Sequence, residues 1–355
     1  MKHNFNSGPS VLPLEVLEQT AQALIDFNGI GLSIAEIGHR TPWFIAIMEE
    51  ARSLVKELMQ LDDHYEVLFL QGGATTQFMQ VPMNMLDNGQ SAAYCEDGVW
   101  GSKAAKEASL FGKVNVVATS KDKNYTYINK QFKIGNENRY LHLTSNNTVE
   151  GTQWFSFPET AVPLIADMSS DIFSREIPFN KFSLIYAGAQ KNMGAAGVTV
   201  VVIKKDLLQN MQRPVPSIMD YIKHIDAGSL MNTPPVIAVY MSLLTLRWIK
   251  KEGGLKEMER RSKEKSSLLY NTIDSIPLFA THVAKEDRSR MNAVYFIENE
   301  ALQNKFLEEC KANGMVGVKG YRTVGGIRVS MYNALALESV KAICTLMKDF
   351  AAKNG

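Results

Sequence analysis

Hydrophobic and polar positions along the chain follow two rhythms. From Pro42 to Gln60, the residues Phe44, Ile47, Met48, Ala51, Val55 and Leu58 recur three and four positions apart, which lays one apolar stripe along a helix. L-E-V-L-E-Q-T-A-Q-A-L-I-D-F (14–27) reads the same way behind Pro13, a residue suited to a helix start. Between such stretches stand short, almost unbroken apolar runs: Y-E-V-L-F-L (65–70), S-A-A-Y-C (91–95), V-N-V-V-A (114–118), Y-L-H-L-T (140–144), L-I-A-D (164–167), S-L-I-Y-A (183–187) and V-T-V-V-V-I (198–203). Strands this apolar are buried on both faces. Their alternation with helices predicts an α/β unit with a mainly parallel, seven-stranded type of sheet covered on both sides. G-G-A-T-T-Q-F-M (72–79) predicts a turn that opens a helix, and another helix falls near 99–111.

The rhythm changes after residue 234. One helical stretch covers about 235–251, and another begins after Gly253-Gly254 with the charged K-E-M-E-R-R-S-K-E-K-S-S-L-L-Y. A strand (A-V-Y-F-I, 293–297), a helix (300–313), two short strands (V-G-V-K and G-I-R-V-S-M) and a closing helix follow; the last carries Leu337, Val340, Cys344 and Met347 on one stripe. This α+β tail predicts a smaller second domain. The expected division is an N-terminal segment over 1–15, a large domain over 16–254 and a small domain over 255–355, in keeping with a length that is great for one core.

Composition narrows the function classes. At 355 residues, 45% hydrophobic and 21% charged, the chain has the balance of an ordinary globular protein. A net charge of +1 gives no support to a general binder of nucleic acid or membrane surfaces. Cys95, Cys310 and Cys344 show no C-x-x-C spacing and suit a reducing compartment. M-K-H-N-F-N-S-G-P-S has no apolar core of the kind a signal peptide needs, and no apolar run reaches the ~18 residues of a membrane span. A cytoplasmic enzyme is the expectation, with no metal site read from the pattern.

One stretch stands out chemically. In Y-A-G-A-Q-K-N-M-G-A-A-G (186–197), Lys191 lies at a turn between two buried strands, among Gly188, Ala189, Gly194, Ala195, Ala196 and Gly197. Burial disfavours an ammonium, so such a lysine has a lowered pKa, and a neutral amine adds to aldehydes. The plain alternative is a strand-end lysine reaching for solvent. Asp167, at the end of L-I-A-D, is placed to reach the same sheet edge; a carboxylate there would keep a pyridine nitrogen protonated, or else cap its own turn through Ser169 and Ser170. Q-G-G-A-T-T-Q-F (71–78) offers free N–H groups and hydroxyls for an anion, though many glycine pairs after strands are only turns. Trp100 in E-D-G-V-W-G presents a flat face or is simply core, and M-N-T-P-P (231–235) offers Asn232 and Thr233 as ligands or as a helix cap.

Taken together these stretches resemble the phosphoserine aminotransferase family, pyridoxal-phosphate transaminases of class V with the aspartate-aminotransferase fold (fold type I). The resemblance runs from F-N-S-G-P (5–9) through G-H-R (38–40), Q-G-G-A-T-T-Q-F, A-D-M-S-S, Y-A-G-A-Q-K-N-M-G and M-N-T-P-P to G-I-R-V-S-M-Y-N (326–333). It implies pyridoxal 5'-phosphate held covalently by Lys191, with Asp167 at the pyridine nitrogen, Trp100 stacked on the ring and Ala74, Thr75 and Gln190 about the phosphate. It also implies a cofactor contact from Thr148 in N-N-T-V-E-G, and a homodimer in which Asn232 and Thr233 reach the neighbouring subunit's cofactor. For substrate it implies His39, Arg40 and, across the dimer, Arg322 at a side-chain phosphate, with Arg328 and Ser7 at the α-carboxylate. The plain alternative for Arg328 is a solvated strand face.

Two departures carry consequences. The family pattern places a histidine before the second arginine, where this chain reads V-K-G-Y-R with Tyr321. A tyrosine hydroxyl hydrogen-bonds phosphate but adds no positive charge, which implies weaker dianion binding and wider tolerance of less charged substrates. The cradle reads A-T-T where some members have G-R-G, leaving more to backbone amides and hydroxyls. The implied reaction is exchange of an amino group between glutamate and 3-phosphohydroxypyruvate in serine synthesis, with a role in pyridoxine synthesis as well. Two rivals share parts of the pattern. An alanine–glyoxylate transaminase or a cysteine desulfurase would keep Lys191 and Asp167, although Cys310 and Cys344 lie in helical patterns and not on the mobile loop a desulfurase needs. A non-catalytic binder of phosphate ligands would keep the cradle and the arginines but has no need of Lys191.

Overall fold

Strand Tyr65–Gln71 sends Val67 and Phe69 to one side and Leu68 and Leu70 to the other, and strand Val198–Lys204 divides Val200 and Val202 from Val201 and Ile203 in the same way. All eight are buried, so both faces of the sheet are core. In the computed structural model, which describes residues 2–208 and 211–354, these strands belong to a seven-stranded sheet. Its order across the sheet is Tyr65–Gln71, Val198–Lys204, Leu184–Gly188, Leu164–Asp167, Asn138–Thr144, Ser91–Glu96 and Lys113–Thr119. All neighbours run parallel except Val198–Lys204, which is antiparallel to both of its partners.

The helices are α1 (Leu14–Ile25), α2 (Pro42–Met59), α3 (Gly73–Met85), α4 (Val99–Ala108), α5 (Tyr221–Asp226), α6 (Val236–Lys251), α7 (Gly254–Ser275), α8 (Glu300–Ala312) and α9 (Leu337–Asn354). α1, α2 and α6 cover one sheet face, where the α2 stripe Phe44, Ile47, Met48, Ala51, Val55 and Leu58 is buried as its spacing predicts. α3, α4 and Tyr221 of α5 cover the other face. Each apolar side chain so buried contributes about 1.5–3 kcal/mol, which is what fixes the strand ends in place.

A separate core lies beyond the sheet. It is built on the antiparallel pair Asn292–Tyr295 and Ile327–Ser330 with α8, α9 and the second half of α7, through Leu269, Tyr270 and Ile273. The first half of α7 belongs elsewhere: Leu255 and Met258 pack into the core under the sheet. The N-terminal segment also joins the second core, with Phe5 fully buried in it and His3–Asn4 pairing in parallel with Met315–Val316. The V-G-V-K strand is thus shorter than its sequence suggests, because its partner is only two residues long.

Candidate active site

The carboxyl ends of Asn138–Thr144, Leu164–Asp167 and Leu184–Gly188 open onto a cleft of about 670 Å³. It is lined by Ser7, Ala74, Thr75, Trp100, Thr148, Asp167, Gln190, Lys191, Tyr321 and Arg328, together with Ser169, Ser170 and Gly197. Ligands bind at this edge in open α/β sheets.

Lys191 sits on the connection between the antiparallel strands Leu184–Gly188 and Val198–Lys204. Its stem is half-buried, and Nζ does not run to solvent but donates to Thr148 Oγ1 and Ser170 Oγ, both at 2.7 Å. Those two hydroxyls are also hydrogen-bonded to each other. Burial lowers the Lys191 pKa to about 8; Asp167 works against that shift and Arg328 adds to it. The small residues around the lysine serve different ends. A Cβ on Gly194 would come within 2.7 Å of Ser242 Oγ, so that glycine lets α6 approach, and the space at Gly188 is filled by Gln190, whose Oε1 would lie 2.5 Å from an added Cβ. Gly197 (φ +108°) and Ala196 face the cleft, and a Cβ added at Gly8 (φ +139°) would meet Lys191 Cγ at 3.3 Å.

Asp167 is buried, and burial raises its pKa while the Ser169 hydrogen bonds oppose the rise. Its Oδ1 accepts from Ser169 N at 2.9 Å and Ser169 Oγ at 2.6 Å, so the turn-capping expectation holds for Ser169; Ser170 points instead to the lysine. Oδ2 accepts no hydrogen bond among the described residues, which leaves one oxygen of a buried acid for a donor from the cleft. At the opposite wall, α3 starts at Gly72 (φ +103°) with no side-chain cap, so the N–H groups of its first turn at Gly73, Ala74 and Thr75 are free beside the cleft. An alanine at Gly72 would place Cβ 2.1 Å from Thr76 Oγ1, so the turn requires glycine both for its φ and for room. These features fit a cofactor with a pyridine nitrogen at one end, a phosphate at the other and an aldehyde between.

Trp100 is half-buried on α4, with Lys103 Nζ 4.3 Å from its ring centroid and Nε1 without a partner. Arg328 is not on a solvated face: it is 8% exposed, its Nη2 donates to Ser7 Oγ at 2.7 Å, and its Nε is unpartnered. Burial lowers its pKa, and Tyr332 and Glu150 partly offset that. Among the cleft-lining residues only Asp167, Lys191 and Arg328 carry charge.

The remaining expected residues lie apart from this cleft. Arg40, Thr233 and Arg322 are exposed and His39 and Asn232 partly so, none of them lining it. Asn232 and Thr233 do not cap α6, whose N-cap is Pro235 without a side-chain bond; the Thr233 carbonyl accepts from Gln71 Nε2. His39 Nε2 is buried without a partner. Sequence reasoning missed Ser170 as a ligand of the Lys191 amine, and missed Tyr332, whose hydroxyl donates to the Ser7 carbonyl at 2.9 Å. The first was readable in A-D-M-S-S, where a second serine stands beyond what the turn needs.

The aminotransferase class-V family model matches residues 2–343. A phosphoserine aminotransferase of Bacteroides thetaiotaomicron is 51% identical over 351 residues, 98% of each chain. The solved phosphoserine aminotransferase of Bacillus circulans subsp. alkalophilus superposes with a TM-score of 0.98 at 42% identity, covering 100% of this chain and 99% of its own. A pyridoxal-phosphate-bound phosphoserine aminotransferase of Trichomonas vaginalis gives 0.93 at 33% identity, over 98% of this chain and 100% of its own. Matched over nearly its whole length in sequence and in fold, the chain belongs to the phosphoserine aminotransferases of the class-V aminotransferase family.

Proposed function

We propose that this chain exchanges an amino group between glutamate and 3-phosphohydroxypyruvate, yielding 2-oxoglutarate and O-phosphoserine for serine biosynthesis, with pyridoxal phosphate in the cleft. The observation that carries this reading is the convergence of the Lys191 amine, the free oxygen of Asp167 and the uncapped start of α3 on one cavity. Pyridoxal phosphate supplies an aldehyde for amines and a ring that withdraws electrons from the substrate Cα. Asp167 would keep the pyridine nitrogen protonated, and the first-turn N–H groups at Ala74 and Thr75 would hold the phosphate beside Gln190. Trp100 would supply a flat face for the ring, and Thr148 with Ser170 aims Lys191 Nζ. That amine holds the cofactor and, when free, takes the proton from the substrate Cα. Arg328, steadied by Ser7, receives the α-carboxylate on its unpartnered Nε.

A phosphate dianion needs cations that this chain's own cleft lacks beyond Lys191 and Arg328. We infer that the protein works as a homodimer in which Arg322 crosses to the neighbouring cleft, joining His39, Arg40 and Tyr321, while Asn232 and Thr233 reach the neighbour's cofactor phosphate. The exposure of Arg40, Thr233 and Arg322 in a single chain supports this. The two cores support a division of the chain near the start of α7, with the N-terminal segment attached to the small domain. No helix among the described residues is long and apolar enough to cross a membrane, and free Cys95, Cys310 and Cys344 support a cytoplasmic setting. All three are buried, which counts against a desulfurase.

The test is spectroscopic and kinetic. Purified protein with cofactor shows a band near ~400 nm from the cofactor's conjugation. Glutamate abolishes the band, phosphohydroxypyruvate restores it, and borohydride fixes the cofactor on the Lys191 peptide. A label elsewhere, or glyoxylate and pyruvate turning over as well as phosphohydroxypyruvate, would sink the proposal. The phosphorylated 4-hydroxythreonine intermediate of vitamin B6 synthesis presents the same dianion and belongs in the same assay.

A further inference from the structure

A second buried lysine lies outside the chemistry described so far. Lys265, on α7, is 2% exposed and forms no ion pair among the described residues. Its Nζ faces three main-chain carbonyls of one turn, donating to Tyr332 O at 2.6 Å, Leu335 O at 3.1 Å and, more weakly, Asn333 O at 3.5 Å. A neutral amine has two N–H bonds and a lone pair, so it would turn that lone pair toward one of three oxygens. Only the ammonium has a proton for each. Burial pulls the group down to about 7 and the nearby Arg261 pulls the same way; what favours the ammonium is the geometry of the three carbonyl oxygens around it.

The turn held by Lys265 reaches the cleft by two routes. Through Tyr332, the hydroxyl donates to Ser7 O at 2.9 Å, and Ser7 Oγ in turn accepts from Arg328 at 2.7 Å. Through Asn333, the backbone N–H donates to Asn192 Oδ1 at 2.9 Å, and the side chain donates to Phe173 O at 2.8 Å. Asn192 is the neighbour of Lys191 and donates to the carbonyl of Ser170, whose hydroxyl takes the Lys191 amine. The strand that carries Arg328, Ile327–Ser330, runs directly into this turn.

We propose that Lys265 is a positioning residue of the amino-transfer reaction: as a caged ammonium it holds the 332–335 turn, and through Tyr332 and Ser7 sets the Arg328 guanidinium against the substrate α-carboxylate. It touches neither substrate nor cofactor. The proposal rests on the reading of Arg328 as the carboxylate site. Wild-type spectral titration with glutamate tests that reading, and the ratio of variant to wild type tests this one.

The variant is Lys265→Met, which fills the volume without charge or donors, measured as the cofactor-loaded enzyme. KM for glutamate and the Kd of an unreactive dicarboxylate such as maleate both rise by about ten-fold, the size of one charge-assisted contact. kcat changes less, and the ~400 nm band of the unliganded enzyme is unchanged because the cofactor's own contacts are intact. Adding methylammonium to Lys265→Ala returns the maleate affinity toward wild type. If wild type responds to glutamate and Lys265→Met binds both ligands with wild-type affinity, the proposal is overturned. It is equally overturned if a variant folds only with methylammonium present and then shows wild-type KM, since Lys265 would then serve folding alone. Should Lys265→Met not fold, Lys265→Arg carries the same test: its planar fork cannot meet three converging carbonyls, and the same rise in KM is expected.

Discussion

Thr148 and Ser170 decide where the Lys191 amine points, and burial, opposed by Asp167, decides how readily it loses its proton. With a pKa of about 8, the amine is mostly neutral above that pH and mostly ammonium below it. Trapping of an aldehyde by the cofactor-free protein, read after borohydride reduction, should therefore rise with pH and level off a little above 8, where a free lysine would need ~10.4. Asp167→Asn removes the group that favours the ammonium, so the midpoint should move to lower pH; a midpoint that stays or rises would count against the electrostatic coupling. Tyr321 supplies a second test at this scale. It lines the cleft without a charge of its own, and Tyr321→His should tighten phosphohydroxypyruvate most below the ~6.5 reference pKa of histidine, with little effect on pyruvate. The sequence made Lys191 and Asp167 legible because a lone cation or anion at the end of an apolar run is conspicuous. It hid Tyr332 and Lys265, whose partners are main-chain carbonyls and leave no pattern in side-chain spacing.

At the scale of elements, α4 carries Trp100 and begins without a cap of its own: Val99 N donates to Glu150 Oε1, a buried carboxyl raised to about 7 by burial. Gly98 stands between them in an extended conformation open to any residue, yet an added Cβ would meet Asn147 Oδ1 at 2.5 Å and Glu150 Oε2 at 2.8 Å. Gly98→Ala should thus cost about 1–3 kcal/mol by overpacking and displace Trp100. Chemical denaturation would read the first effect and cofactor affinity the second; an unchanged midpoint would mean that Asn147 and Glu150 yield freely. Strands and helices of the sheet were legible because burial on both faces writes an apolar run. Strand direction was not, since periodicity is blind to it. The antiparallel course of Val198–Lys204 could still have been inferred from the 189–197 connection, which holds no helix and is too short for a parallel crossover. The 99–111 reading overran because α4 stops at Ala108, after which Leu110 and Phe111 form a turn into the edge strand.

At the scale of the molecule, the cleft of one chain offers a phosphorylated substrate only the cations Lys191 and Arg328, and the proposed shared site draws the others from exposed Arg40 and Arg322. Lys191→Ala and Arg322→Ala, each weak alone, should recover activity when mixed, because every mixed dimer then carries one intact site of its two. Mixed dimers that form and stay inactive would remove the shared cleft. Arg40→Ala should slow phosphohydroxypyruvate by a charge-assisted contact of about 1.5–3 kcal/mol and spare an unphosphorylated keto acid. The cores were legible in part: the expected division at 254/255 marks the start of α7, but not that α7 serves both cores, nor that Phe5 belongs with Phe306 and Phe350.

The strand His3–Asn4 has its partner at Met315–Val316, and Ser10 N donates to the carbonyl of Gln190 beside the reactive lysine. On the ribosome, therefore, the residues made earliest have nowhere to go until almost everything else has emerged. The sheet can assemble while the leading segment waits in solvent, and the floor of the cleft gains its cover only when synthesis is nearly over. Nascent chains arrested before Met315 should show residues 3–10 open to protease while the sheet resists it, and release of the full chain should close that window.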